Sequence, residues 1–191
     1  MTFTVQRVQS AQPSPAPLPE TRTTRVWGLG AELRVYVLDS AMAAVWRAVA
    51  TADPVDDDRA YWTAVERGGG LAGRYHVDPD GQRFVVVTDV LPAPDAPSSA
   101  ARIDIRAEDW LEIHGAIARR GDLRLLGWYH SHPGMSVRMS HVDRLTQRRT
   151  FGVDWQLGLV VDPWSRAFRF HVGPRARRAR WVGFVADEAA A

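Results

Sequence analysis

The 191-residue chain contains no cysteine. Disulfides and thiol nucleophiles are thereby excluded, and any bound metal must be held by nitrogen and oxygen donors. Lysine and asparagine are missing as well, so all 24 positive side chains are arginine. Both missing residues use A-rich codons, and a GC-rich base composition accounts for the pair; a protein that works among lysine conjugates and escapes conjugation itself is the functional alternative. An excess of either charge is also lacking, since 24 basic against 22 acidic residues leave a net +2. One dense basic run stands at residues 174–180, but only Trp181 adjoins it, whereas a nucleic-acid surface wants interleaved aromatics or a larger excess. The expectation is therefore no nucleic acid, with a solvated face first and docking to an acidic partner second. No stretch approaches the ~18 to 20 apolar residues of a membrane span, and the N-terminus lacks a charged-then-apolar signal. A cytoplasmic protein with no membrane partner is expected.

The run from Gly127 to Asp143 is the informative one, reading GWYHSHPGMSVRMSHVD. Two imidazoles two residues apart on an extended segment point to the same side, so His130 and His132 can converge on one ion. The apolar run over 125–129 reads as a buried strand that Pro133-Gly134 terminates. Ser140-x-x-Asp143 reads as a helix start, with the carboxylate in the first turn. His130, His132 and Asp143 are the donor set of an open catalytic zinc site, and an ion held there acidifies a water able to attack an amide.

The remaining chain reads as one domain, residues 25–191, after a Pro-rich tail over residues 1–24 that is expected to be mobile or partly extended. Alternating Leu33, Val35 and Val37 suggest a strand. Asp39 or Ser40 is then expected to cap a helix with Met42, Val45, Trp46 and Val49 on one face. Residues 53–58 are expected to form an acidic turn. Strands are expected over 71–76 and 84–90, joined by Asp78-Pro79-Asp80-Gly81, followed by a loop over 92–99. Trp110, Ile113 and Ile117 mark a helix over 107–120 ended by Gly121. A second strand pair is expected over 156–161 and 167–172. The fold class is α/β, a mixed sheet with helices on its faces.

The quoted run, together with Thr146-Gln147, the stretch ValValAspPro at 160–163 and the segment GluArgGlyGlyGlyLeuAlaGly at 66–73, resembles the JAMM (MPN+, JAB) zinc metallopeptidase family over residues 33–172. The His-Ser-His-Pro context is similar to the deubiquitinating subunits of the proteasome lid and signalosome, and the Glu66 segment to bacterial members. The resemblance implies a curved mixed sheet sandwiched by helices, one Zn2+ on His130, His132 and Asp143, and Glu66 as general base and acid. It favours Ser140 as oxyanion donor, although a helix cap alone explains that residue. Gly68, Gly69 and Gly70 lack side chains and so let this backbone pass close to a crowded centre, against the alternative of a solvated Glu66 before a glycine bend. Met135, Arg138 and Met139 lie between ligand positions and are expected to line a substrate groove. Departures from the family pattern are the stretch 135–139 and His141, where a small residue is usual.

The implied activity is hydrolysis of the amide after the C-terminal Gly of a ubiquitin-like protein, in conjugates or precursor, with E1-like and E2-like proteins of the same pathway as further partners. Release of an amino acid from a sulfur-carrier protein is the alternative, and a non-catalytic MPN-type scaffold is a third reading. Ser140 and Ser131 are not expected as nucleophiles, because no further His and carboxylate are arranged to activate them.

Overall fold

The computed structural model describes residues 13–26, 33–50, 64–100 and 102–187. The strands in chain order are β1 (Ser14–Pro15), β2 (Thr23–Val26), β3 (Arg34–Leu38), β4 (Gly68–Val77), β5 (Arg83–Pro92), β6 (Ser98–Ser99), β7 (Arg102–Ile103), β8 (Arg124–Ser131), β9 (Leu157–Asp162), β10 (Ala167–Val172), β11 (Arg177–Arg178) and β12 (Trp181–Val185). Among the described residues the helices are α1 (Asp39–Ala48), α2 (Ala107–Ala118) and α3 (His141–Thr150).

One mixed sheet runs β11-β10-β9-β8-β4-β5-β3-β12-β2, with β6 and β7 forming a separate small hairpin. Alternation decides which side each strand buries. In β9, Leu157, Leu159 and Val161 enter the large core that also takes Met42 and Val45 of α1 and Val49 just past its end. On the opposite face Val160 packs with Trp128, Met139 and Phe151, and Ile113 and Ile117 of α2 close over Ala72. The sheet is thus sandwiched, with α1 on one side and α2 and α3 on the other. Register shifts at Leu71/Ala72 against β8 and at Ala72/Gly73 against β5 mark bulges in β4, which bend the sheet.

Several local expectations are corrected. Asp39 and Ser40 do not cap α1: Leu38 occupies the N-cap position, Asp39 pairs with Arg22 at 2.7 Å, and the Ser40 hydroxyl bonds Asp187. The glycine run belongs to β4, which starts at Gly68 rather than at Leu71, with Gly68 opposite His130 and Gly69 opposite Tyr129. A Cβ on Gly69 would strike the Leu91 carbonyl, so the crowding comes from the neighbouring strand backbone. The loop expected over 92–99 ends in the β6–β7 hairpin.

Of the Pro-rich segment 1–24, residues 1–12 lie outside the described residues. The rest is extended and held rather than free. β1 pairs with β4 at His76 and Val77, in the part of the ladder beyond its pairing with β8, and Ala16 and Leu18 pack on the core. β2 pairs with β12 and so ties this segment to the last strand. The acidic turn at 53–58 also lies outside the described residues. No helix among the described residues is long and apolar enough to cross a membrane.

Candidate metal centre

The end of β8 carries His130 and His132 into the layer between the sheet and α3. Both are buried, at 0% and 6% exposure. The strand is followed by a turn that Asp162 holds: its carboxylate accepts from the backbone N–H of Gly134 at 3.0 Å, of Trp164 at 3.1 Å and from the Ser165 hydroxyl at 2.6 Å. Asp143 arrives from the first turn of α3. The helix start is a reciprocal box, in which Ser140 Oγ accepts from the Asp143 N–H at 3.1 Å and the Ser140 N–H donates to Asp143 Oδ2 at 2.6 Å.

The ligand atoms form a near-equilateral triangle. His130 Nε2 and His132 Nε2 are 3.1 Å apart, and Asp143 Oδ2 lies 3.4 Å from the first and 3.5 Å from the second. Bonds of about 2.0 to 2.2 Å at tetrahedral angles put adjacent ligand atoms about 3.3 to 3.6 Å apart. The three residues therefore fit a small tetrahedral cation, with a fourth position open. The tautomer of His132 agrees: its Nδ1 lies 2.9 Å from the Ser136 carbonyl and must donate to it, leaving the Nε2 lone pair for the ion. His130 Nδ1 is buried with no hydrogen-bond partner among the described residues. Stacking holds that ring instead. The Trp128 indole lies 4.4 Å away at 16°, and its Nε1–H donates at 2.7 Å to Gln147 Oε1, whose amide in turn donates to the Gly173 carbonyl at 3.3 Å.

Glu66 stands at the rim of this triangle, with Oε1 3.5 Å from His132 Nε2 and the residue 3% exposed. Its backbone is pinned on two sides. The Glu66 N–H donates to the Ser99 carbonyl at 2.8 Å, while Arg67 and Ser131 exchange bonds of 2.8 and 2.9 Å, the second to the Ser131 hydroxyl. Ser131, which points away from the ligands, thus sets where Glu66 sits.

The electrostatics divide the carboxylates. Burial pushes Glu66 up to about 7, Asp143 adds to this, and His132 opposes it. Burial would raise Asp143 too, but its bonds to His130, His132 and Ser140 outweigh that and hold it well below the usual carboxylate range. One carboxyl is therefore a fixed anion and the other exchanges protons near neutrality, the division that acid–base chemistry uses. Burial lowers His130, which favours the neutral ring that a metal needs.

The expected site residues separate into two groups. Glu66, His130, His132, Ser140 and Asp143 come together; Ser140 is exposed beside them with its hydroxyl proton not used by the cap. Met135 at 39% exposure and Arg138 lie on the surface. Met139 is a correction, for it is 5% exposed and fills the space over Gly158 between Trp128 and Phe151, so it is core and not groove. Val142, in the first turn of α3 next to Asp143, is an exposed apolar residue that sequence reasoning missed. The roles of Trp128, Ser131, Gln147 and Asp162 were also missed, because each acts through a partner distant in sequence.

The chain matches the family described as prokaryotic homologs of the JAB domain over residues 42–181. A curated relative, COP9 signalosome complex subunit 5 of Debaryomyces hansenii, is 34% identical over 86 residues, covering 41% of this chain and 18% of that protein. The chain thus spans under a fifth of that relative's length. The solution structure of protein DSY2949 from Desulfitobacterium hafniense superposes with a TM-score of 0.58 at 18% identity, over 80% of this chain and 94% of that one, a likeness of fold.

Proposed function

Since the chain belongs to the family of prokaryotic JAB-domain homologs, we propose that it is a zinc-dependent isopeptidase cutting the amide after the C-terminal glycine of a ubiquitin-like protein. The observation that carries this reading is the buried ligand triangle with Glu66 against its rim. Nitrogen and oxygen donors at this spacing suit zinc among the common divalent ions. When bound, zinc supplies Lewis acidity toward the scissile carbonyl and lowers the pKa of a water.

The chain's own residues supply the rest. Glu66, with its carboxyl near neutrality, accepts the proton of the attacking water and delivers it to the leaving amine. Ser140 uses a lone pair for the cap, which leaves its O–H to donate to the oxygen that becomes negative. The exposed thioether of Met135 and the Val142 side chain offer an apolar rim for a narrow extended tail. A glycine pair at the end of that tail suits a narrow approach. The partners in this reading are a ubiquitin-like protein or its conjugate and, by extension, E1-like and E2-like proteins of its pathway. A metal-free scaffold needs a broken ligand set, and here all of its members are present.

The test uses the zinc-loaded chain with two fusions of a ubiquitin-like protein, one ending in Gly-Gly before the bond and one with bulky residues there. The first is cut and the second, like casein, is not. Equal cleavage of both, or rapid digestion of casein, sinks the isopeptidase reading in favour of a general peptidase.

A further inference from the structure

We infer that Arg138, Arg169 and Arg178 form a docking strip for an acidic segment of a protein partner beside the ligand triangle. The strand register carries the argument. His130 pairs with Val160 of β9, and Val160 pairs with Arg169 of β10, so Arg169 shares a face with His130 two strands away. Arg178 of β11 pairs with His171 and therefore lies on that face too. The loop bearing Arg138 is drawn over the same strands, because His171 Nε2 lies 3.4 Å from the Val137 carbonyl. Three cations from three elements converge there.

Arg169 is half-buried and forms no ion pair with a carboxylate among the described residues. Burial, and then repulsion from Arg178 and Arg138, lower its pKa. Arg178 also lines an adjoining groove of about 450 Å³ with Arg83, Arg175, Arg177 and Arg180, where Asp154 is the one acid among the described lining residues. Cations held together against their mutual repulsion are complementary to a run of carboxylates. A nucleic acid is the weaker fit: Phe168 and Phe170, which flank Arg169, alternate onto the opposite face and pack in the large core, and Trp181 is engaged by Tyr36 at 4.7 Å and by Arg34 at 5.4 Å. Two interstrand steps put Arg169 about 10 Å from His130, so the acidic residues lie about three residues along an extended chain from the bond cut. That last placement rests on the hydrolase reading, whereas the binding itself does not.

The experiment measures fluorescence polarisation of a short labelled peptide alternating glycine and glutamate, titrated with the full-length chain, against its glutamine counterpart. The glutamate peptide binds more tightly, and the binding weakens as ionic strength rises. Arg138→Gln with Arg169→Gln weakens it about 2- to 30-fold, the loss of two exposed ion pairs, while Arg138→Lys with Arg169→Lys retains most of it. Equal binding of the two peptides, or indifference to the Gln pair in protein whose circular dichroism is unchanged, overturns the strip. Tighter binding of an oligothymidylate with the same arginine dependence overturns it in favour of a nucleic-acid surface. In a separate arm, fusions with glutamate or glutamine beyond the Gly-Gly bond are compared for cleavage. Retained peptide binding without cleavage of either fusion refutes the hydrolase reading and leaves the strip standing.

Discussion

Replacing Gln147 by Met isolates the support behind the ligand triangle. The thioether has similar length and volume, so the change removes hydrogen bonds with little change in packing. Two partners lose their bonds, the Trp128 indole N–H and the Gly173 carbonyl, both in a layer where Gln147 is 0% exposed. An orphaned buried polar group costs about 1 to 3 kcal/mol, so the pair costs about 2 to 6 kcal/mol. At about 2 to 4 °C per kcal/mol for a chain of this length, the melting temperature falls by about 4 to 24 °C. The second consequence concerns the metal. His130 has no hydrogen bond at Nδ1, so the stacked indole is what orients its ring, and freeing the indole loosens a ligand. Outer-shell losses of this kind typically weaken metal binding about 10- to 100-fold. Thermal melts of the metal-free protein and competition titration with a chromogenic zinc chelator read the two effects separately. A variant that melts within a degree of the parent and holds zinc equally well would refute the claim that Gln147 positions His130 through Trp128.

Three further outcomes follow from the geometry. His132→Ala removes one corner of the triangle, so elemental analysis of protein purified without added metal finds one zinc in the parent and none in the variant; full occupancy in the variant dismisses the ligand assignment. Glu66→Gln keeps the metal but lowers turnover about 10²- to 10⁴-fold, and cleavage at the parental rate removes Glu66 from the proton path. Ser140→Ala does two things at once, costing about 0.5 to 2 kcal/mol through the lost cap and lowering kcat about 10²- to 10³-fold through the lost oxyanion donor. Melting and kinetics together separate these, and a slightly destabilised but fully active variant leaves Ser140 a cap alone.

What was legible in the sequence was whatever depends on near neighbours. The spacing of His130 and His132 follows from strand geometry, and the box of Ser140 and Asp143 from the first turn of a helix. Period and turn residues gave β4, β5 and α2 to within a few positions, with Gly81 and Gly121 at positive φ where the turns require it. Long-range partnership was not legible. Met139 reads like a groove residue by position, and only the absence of a side chain on Gly158, brought alongside by β9, makes room for it in the core. The glycine run at 68–70 falls outside the strand expected from Leu71, because nothing local reveals that β8 and β5 flank it on both sides. Leu38 displaced Asp39 and Ser40 from the cap because Arg22 and Asp187, remote in sequence, engage both polar side chains.

Asp143 serves both the ligand triangle and the start of α3, so the ligand positions are not equivalent in what holds them. Because the oxygen that faces the imidazoles also receives the Ser140 N–H, an acid or amide at this position is kept in place by the helix whether or not an ion is bound. His130 has no such second employment, being buried with one ring nitrogen unengaged. Losing the imidazole at position 130 therefore leaves the start of α3 intact, whereas losing the carboxylate at position 143 removes a ligand atom and half of the helix box together.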